Sequence, residues 1–125
     1  MKTWIHVLLA CSLGIIVYDS LASYISRGTG IDYQWFGLGS LVIYYLSGLF
    51  IARLKNIGFG VLAASTVGLV EATVGWAISY LIGPGKPQEA ISLPIILFVI
   101  LFVVILAGFI GLIGALAGIY VFRSK

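Results

Sequence analysis

Charge is what this sequence has least of. Only 9% of its 125 residues are Asp, Glu, Lys or Arg, against about 25% in a soluble globular domain. So few charges cannot cover a water-facing surface, which excludes a soluble monomer. The seven basic and four acidic residues leave a net charge of +3. The bases stand singly or in pairs at the ends of apolar runs, so the chain offers no patch for nucleic acid. One cysteine, Cys11, forms no intrachain disulfide and says nothing about redox compartment. One histidine, His6, excludes a His-rich metal site or a bis-His haem site within one chain. His6 reads as an interfacial residue and Cys11 as a small packing residue. The sequence has no Gly-rich phosphate loop, nucleophile elbow or His-Glu-x-x-His motif. No catalytic residue, cofactor or metal is therefore expected, and the chain reads as a non-enzyme.

What the sequence has in excess is apolar side chains. They make up 62% of it, with a mean hydropathy of +1.19. This excludes intrinsic disorder and leaves an integral membrane protein. A membrane-spanning helix needs about 20 mostly apolar residues, so 125 residues hold four spans and no soluble domain. The apolar runs place them at about 4–25, 35–54, 57–82 and 94–122. The runs are continuous, whereas barrel strands alternate over about 10 residues. The expected fold is an all-α, four-span helix bundle in one domain. Two polar, glycine-rich segments read as loops, 26–32 and 83–89, and Asn56 as a tight turn. Ser20-Leu21-Ala22 has the form of a leader cleavage site and Leu8-Leu9-Ala10-Cys11 loosely that of a lipobox. The length of the first run and its single preceding Lys2 favour a retained span.

Basic residues flanking the spans set the expected orientation. Lys2, Arg53, Lys55, Arg123 and Lys125 fall on one side, and only Arg27 and Lys86 on the other. This puts both termini in the cytoplasm of a bacterial or archaeal cell, as a multi-pass protein of its cytoplasmic membrane. Trp4, Tyr33, Trp35, Tyr80 and Tyr120 fit interfacial belts.

Spans two and four end alike. Leu46-Ser47-Gly48 leads to Arg53-Leu54-Lys55, and Leu116-Ala117-Gly118 leads to Arg123-Ser124-Lys125, in ungapped register. One reading is a duplicated hairpin, two parallel repeats related about the membrane normal. The other is convergence on a common helix stop. The hairpin end resembles small bacterial four-span membrane proteins, a likeness that implies no activity. The chain resembles fluoride channels in length and span count, but their Asn and Phe-rich filter motif is absent. Small multidrug transporters carry an essential glutamate in the first span, whereas the first-span acid here is Asp19 in a different context, so no family is assigned.

In lipid, helices associate largely through close backbone packing at small residues. Span three carries Gly60, Ala64, Gly68 and Ala72 at i+4 spacing, with Gly75 adjoining. Span four carries Gly108, Gly111, Gly114, Ala115 and Gly118. These stripes predict tight packing of span three on span four, with an oligomer interface as the alternative. Span four, about 43 Å long as a straight helix, exceeds a hydrocarbon core of about 30 Å. It is expected to tilt, kink near its glycines or project.

Two acids fall within spans, Asp19 and Glu71. A charge at depth costs at least about 2.5 kcal/mol, so each needs a reason. The helical neighbours of Asp19 are Ser12, Ala22, Ser23 and Ser26; those of Glu71 are Ala64, Gly68 and Gly75. Both acids are thus expected to face protein. Asp19 lies about 22 Å past Trp4 and Glu71 about 21 Å past Ile57, which predicts one shared polar centre with the carboxyls within about 10 Å. Tyr44 and Tyr45 are mid-span in helix two, one of them expected to bond an acid. Two functions remain open. One is a small oligomeric transporter or channel, with Glu71 and Asp19 handling a proton or cation. The other is an accessory or assembly subunit docking on a larger membrane complex through its glycine-rich helices. The expected partners are the lipid bilayer and either further copies or such a complex.

Overall fold

The structure is a computed structural model that describes residues 2–83 and 89–122. It is an all-α bundle with four helices long and apolar enough to cross a membrane. The expected loop residues 84–88 and the terminal Arg123 and Lys125 lie outside the described residues, as does Lys86. Helix α1 spans Thr3–Thr29, α2 Gly37–Leu54, α3 Ile57–Val70, α4 Trp76–Ile82 and α5 Leu93–Tyr120. A 3-10 turn over Tyr33–Phe36 leads into α2. A π-helical turn over Glu71–Gly75 joins α3 to α4 in one span.

The helix ends follow from local chemistry. Asn56 caps α3 by accepting the Phe59 N–H at 2.9 Å, as a turn asparagine at an N-cap does. Asp32 caps the 3-10 turn by accepting the Gln34 N–H at 3.1 Å. The expected loop start at Ser26 is corrected: α1 continues to Thr29. Gly30, at φ 75°, takes the left-handed conformation that ends a helix. Ser26 and Thr29 stay helical because their hydroxyls find carbonyls, that of Ile31 at 2.7 Å and that of Ile25 at 2.6 Å.

Helices α2, α3 and α5 pack mutually, and α1 lies against α2 and the third span. Among the described residues α1 does not touch α5. The two hairpins are thus packed unequally. Ile15, Tyr44, Val67 and Ala107, one residue from each span, form the buried core.

Backbones meet where the glycines are. A Cβ on Gly111 would strike Ala64, and one on Gly68 would strike Ala107. Gly60 lies against the Gly48 carbonyl, Ala52 and Ala115, and Gly108 against Ser65. The other edge of the α5 stripe packs on α2. Gly114 sits on the Tyr45 carbonyl, and Gly118 lies 2.6 Å, measured from an ideal Cβ, from the Leu49 carbonyl. Gly48 completes the α2 side against the Gly111 carbonyl. The small-residue face of α5 is therefore shared between two helices, wider than a stripe for α3 alone.

The third span is where the sequence pattern and the structure part. In one continuous α-helix, Gly75 would extend the Gly60–Gly68 stripe toward α5. The π turn adds one residue to a helical turn, which swings everything after it by about 100°. Gly75 consequently faces Asp19 of α1. No such break occurs in α5, which is α-helical from Leu93 to Tyr120.

Candidate functional site

Asp19 and Glu71 come together on opposite sides of the α1–third span contact. Asp19 is 2% exposed. Its Oδ1 accepts from the Tyr33 hydroxyl at 3.4 Å. Its Oδ2 has no hydrogen-bond donor and lies against Gly75, where any Cβ would collide with it. The absent side chain at Gly75 is what lets α1 bring a carboxyl to the π turn. Glu71 opens that turn and is half-buried, its Oε1 accepting from the Ser40 hydroxyl of α2. The two carboxyls are close enough to interact directly. Two acids side by side in a low-dielectric site cannot both ionise cheaply.

Hydroxyls surround the pair. Tyr33 lies near Ser23 of α1 and Ser79 of α4, both fully buried, with hydroxyls that make no hydrogen bond among the described residues. Tyr18 lies over Gly39 and donates to the Phe36 carbonyl, which pins α1 to the entry of α2. Arg27 closes the same end by donating to the Ile82 carbonyl at 3.2 Å.

Glu71 also lines a cavity of about 400 Å³ between α2, the third span and the first half of α5. Tyr33, Ser40, Tyr44 and Trp76 contribute polar or aromatic groups to it. The remaining walls are mostly aliphatic. The cavity exists because α5 diverges: it touches α3 and the π turn, but among the described residues not α4.

Of the residues singled out by sequence, Asp19, Glu71 and Gly75 meet at one place. Tyr44 is buried on the cavity wall. Tyr45 falls outside it, its carbonyl under Gly114. Ala72 is buried beside the cavity. The sequence reading missed Ser40, and it placed Tyr33 in an interfacial belt. Tyr33 turns inward because the 3-10 turn capped by Asp32 folds the start of span two over Asp19. The Asp32 signal one residue before Tyr33 was available in the sequence; the pairing of Ser40 with Glu71 was not. At the opposite end of the bundle Lys55 lies 5.9 Å from the Trp4 ring and 5.6 Å from the Phe59 ring, and Arg53 lies 5.7 Å from the Phe122 ring. Among the described residues no cluster of three His, Cys, Asp or Glu side chains is present to hold a metal. Comparison of the chain with protein-family models, with curated proteins and with solved structures found no match.

Proposed function

We propose that this chain is a small, non-enzymatic membrane transporter whose Asp19–Glu71 pair binds and releases a proton or cation. The observation that carries this reading is the joint placement of Glu71, beside Asp19 on one side and on the wall of a half-open cavity on the other. A carboxyl that only braced helices would have no use for the cavity. The π turn that begins at Glu71 adds support, since such turns are frequent at functional sites. The end bearing Arg53 and Lys55 faces the cytoplasm in this reading, and the pair then lies nearer the outer surface. One copy is too small for an enclosed pathway, so the working form is a homo-oligomer.

The Ser40–Glu71 hydrogen bond favours a second reading, an accessory subunit in which the pair is purely a structural link. Proteoliposomes carrying an imposed pH gradient, with a panel of alkali cations, separate the two. The transporter reading expects flux that Glu71→Gln makes independent of pH, because the amide keeps the shape and hydrogen bonding of a neutral acid but cannot release a proton. A pH dependence of transport unchanged by the substitution makes Glu71 structural.

A further inference from the structure

The cavity beside Glu71 is built for more than a proton. Its volume of about 400 Å³ falls within the range of small-molecule sites, roughly 300–1,000 Å³. Among the described residues that line it, Glu71 is the only acid, and none is a lysine or arginine. Three aromatic residues, Tyr33, Tyr44 and Trp76, share the wall with it. Aliphatic side chains such as Ile100 and Val103 of α5 complete it. In a bilayer an apolar wall alone selects nothing, since acyl chains are as apolar as the wall. Selection comes from the carboxyl and the rings. An anion would face Glu71 in a low dielectric. A cation is attracted by the carboxylate and by aromatic faces, the combination that recognises quaternary ammonium groups. A strongly hydrated metal ion would leave the aliphatic wall without a role.

We propose that this cavity binds an amphipathic organic cation of the quaternary ammonium or phosphonium class, its charged centre beside Glu71 among Tyr33, Tyr44 and Trp76, and its apolar substituents against Ile100 and Val103. This rests on the reading of Asp19 and Glu71 as an exchangeable proton site, and it names the substrate class of that site. In this proposal the cation enters from the membrane on the side where, among the described residues, α5 makes no close contact with α4. The exchange balances in charge: one monovalent cation enters, and the proton held by the pair leaves to water. The titratable groups facing Glu71 are Asp19 and Tyr18 of α1 and Tyr33 at the entry to α2. Among the cavity-lining residues α5 contributes none. Over the range in which the pair gives up its proton, affinity therefore rises with pH, by up to tenfold per unit.

The test is equilibrium binding of tetraphenylphosphonium to the protein in lipid nanodiscs, with empty nanodiscs subtracted. Tetraphenylborate, of the same shape and opposite charge, is the control. The expected result is saturable binding of the cation alone, at least tenfold weaker in Glu71→Gln. Val103→Trp, which fills the cavity and leaves the carboxyl pair in place, should abolish it. Equal binding of tetraphenylborate, or an affinity unmoved by both substitutions, overturns the proposal. If Glu71→Gln does not fold, the wild-type pH series decides, and an affinity flat with pH overturns it. Proton flux measured in proteoliposomes with alkali cations alone, and again with tetraphenylphosphonium added, keeps the two readings apart. Flux with alkali cations but no tetraphenylphosphonium binding overturns this inference alone, and binding with no proton flux in either condition overturns transport alone.

Discussion

The two ends of this bundle are held together by different physics. Toward Arg53 and Lys55, glycines bring backbones into contact: Gly48 on Gly111, Gly60 on Gly48, Gly114 on Tyr45 and Gly118 on Leu49. Polar side chains are nearly absent from that contact, and a substitution has nowhere to go. Toward Tyr33, contact is made through hydroxyls and carboxyls, Tyr33 to Asp19, Ser40 to Glu71 and Tyr18 to the Phe36 carbonyl. There α5 diverges and a cavity opens. The difference teaches that close packing and an accessible polar site occupy separate levels of one small bundle, with the π turn as the boundary. Below it the third span packs on α5 and α2 as well as α1. Above it, among the described residues, the same span packs on α1 but not on α2 or α5.

Substitutions can break or sharpen this contrast. The largest effect is expected from Gly111→Leu or Gly114→Val. The Cβ of each would meet Ala64 or the Tyr45 carbonyl, and overpacking of this kind costs about 1–3 kcal/mol, occasionally more. Neither the Ala64 methyl, fixed to its backbone, nor the Tyr45 carbonyl can move aside cheaply, so the upper end of that range or beyond is expected. Unfolding of the detergent-solubilised protein measures it, and a loss below about 1 kcal/mol would mean the helices are not in backbone contact. Gly14→Ala is the matched control. Nothing lies within 4 Å of its ideal Cβ, so stability should hold or rise slightly.

A smaller loss is expected from Gly75→Ala. The new methyl displaces the Asp19 carboxyl, a side chain with some freedom to turn, so about 1–2 kcal/mol is expected from the same overpacking range. The distinguishing outcome is the combination: any transport should fall with stability here, whereas Gly111→Leu should act through stability alone. Tyr33→Phe removes one donor from Asp19 and is expected to cost about 0.5–1.5 kcal/mol, the ordinary net worth of a hydrogen bond. Glu71→Gln should be the mildest for folding, within about 1 kcal/mol, because Ser40 still has an oxygen to donate to. A severe folding defect in that variant would show the carboxyl to be a structural brace.

The sequence carried the first half of this contrast plainly and the second half only in part. Four spans, the Asn56 turn and the two glycine stripes follow from hydropathy and spacing, because both are local properties of the chain. The meeting of Asp19 with Glu71 followed from counting rises along two helices that start at one level. The π turn was not legible. Nothing in Glu71-Ala72-Thr73-Val74-Gly75 forbids an α-helix; it is the carboxyl of Asp19, supplied by a segment over fifty residues earlier, that Gly75 accommodates. Ser40 was equally hidden, since one serine in an apolar helix has no partner until the helices are placed. Tyr33 was misread because an aromatic residue at a span end fits the membrane interface by composition, and only the fold turns it inward.

The central claim is that Asp19 and Glu71 hold one exchangeable proton between them. The chain has four acidic residues, and the other two, Asp32 and Glu89, are exposed. The carbonyl stretch of a protonated carboxyl, read by infrared spectroscopy on the reconstituted protein at neutral pH, is assigned to this pair by substituting each of its members in turn. The account predicts a band equivalent to one carboxyl that shifts promptly in heavy water and changes in both Glu71→Gln and Asp19→Asn. No protonated-carboxyl band at neutral pH, or one untouched by either substitution, would contradict it.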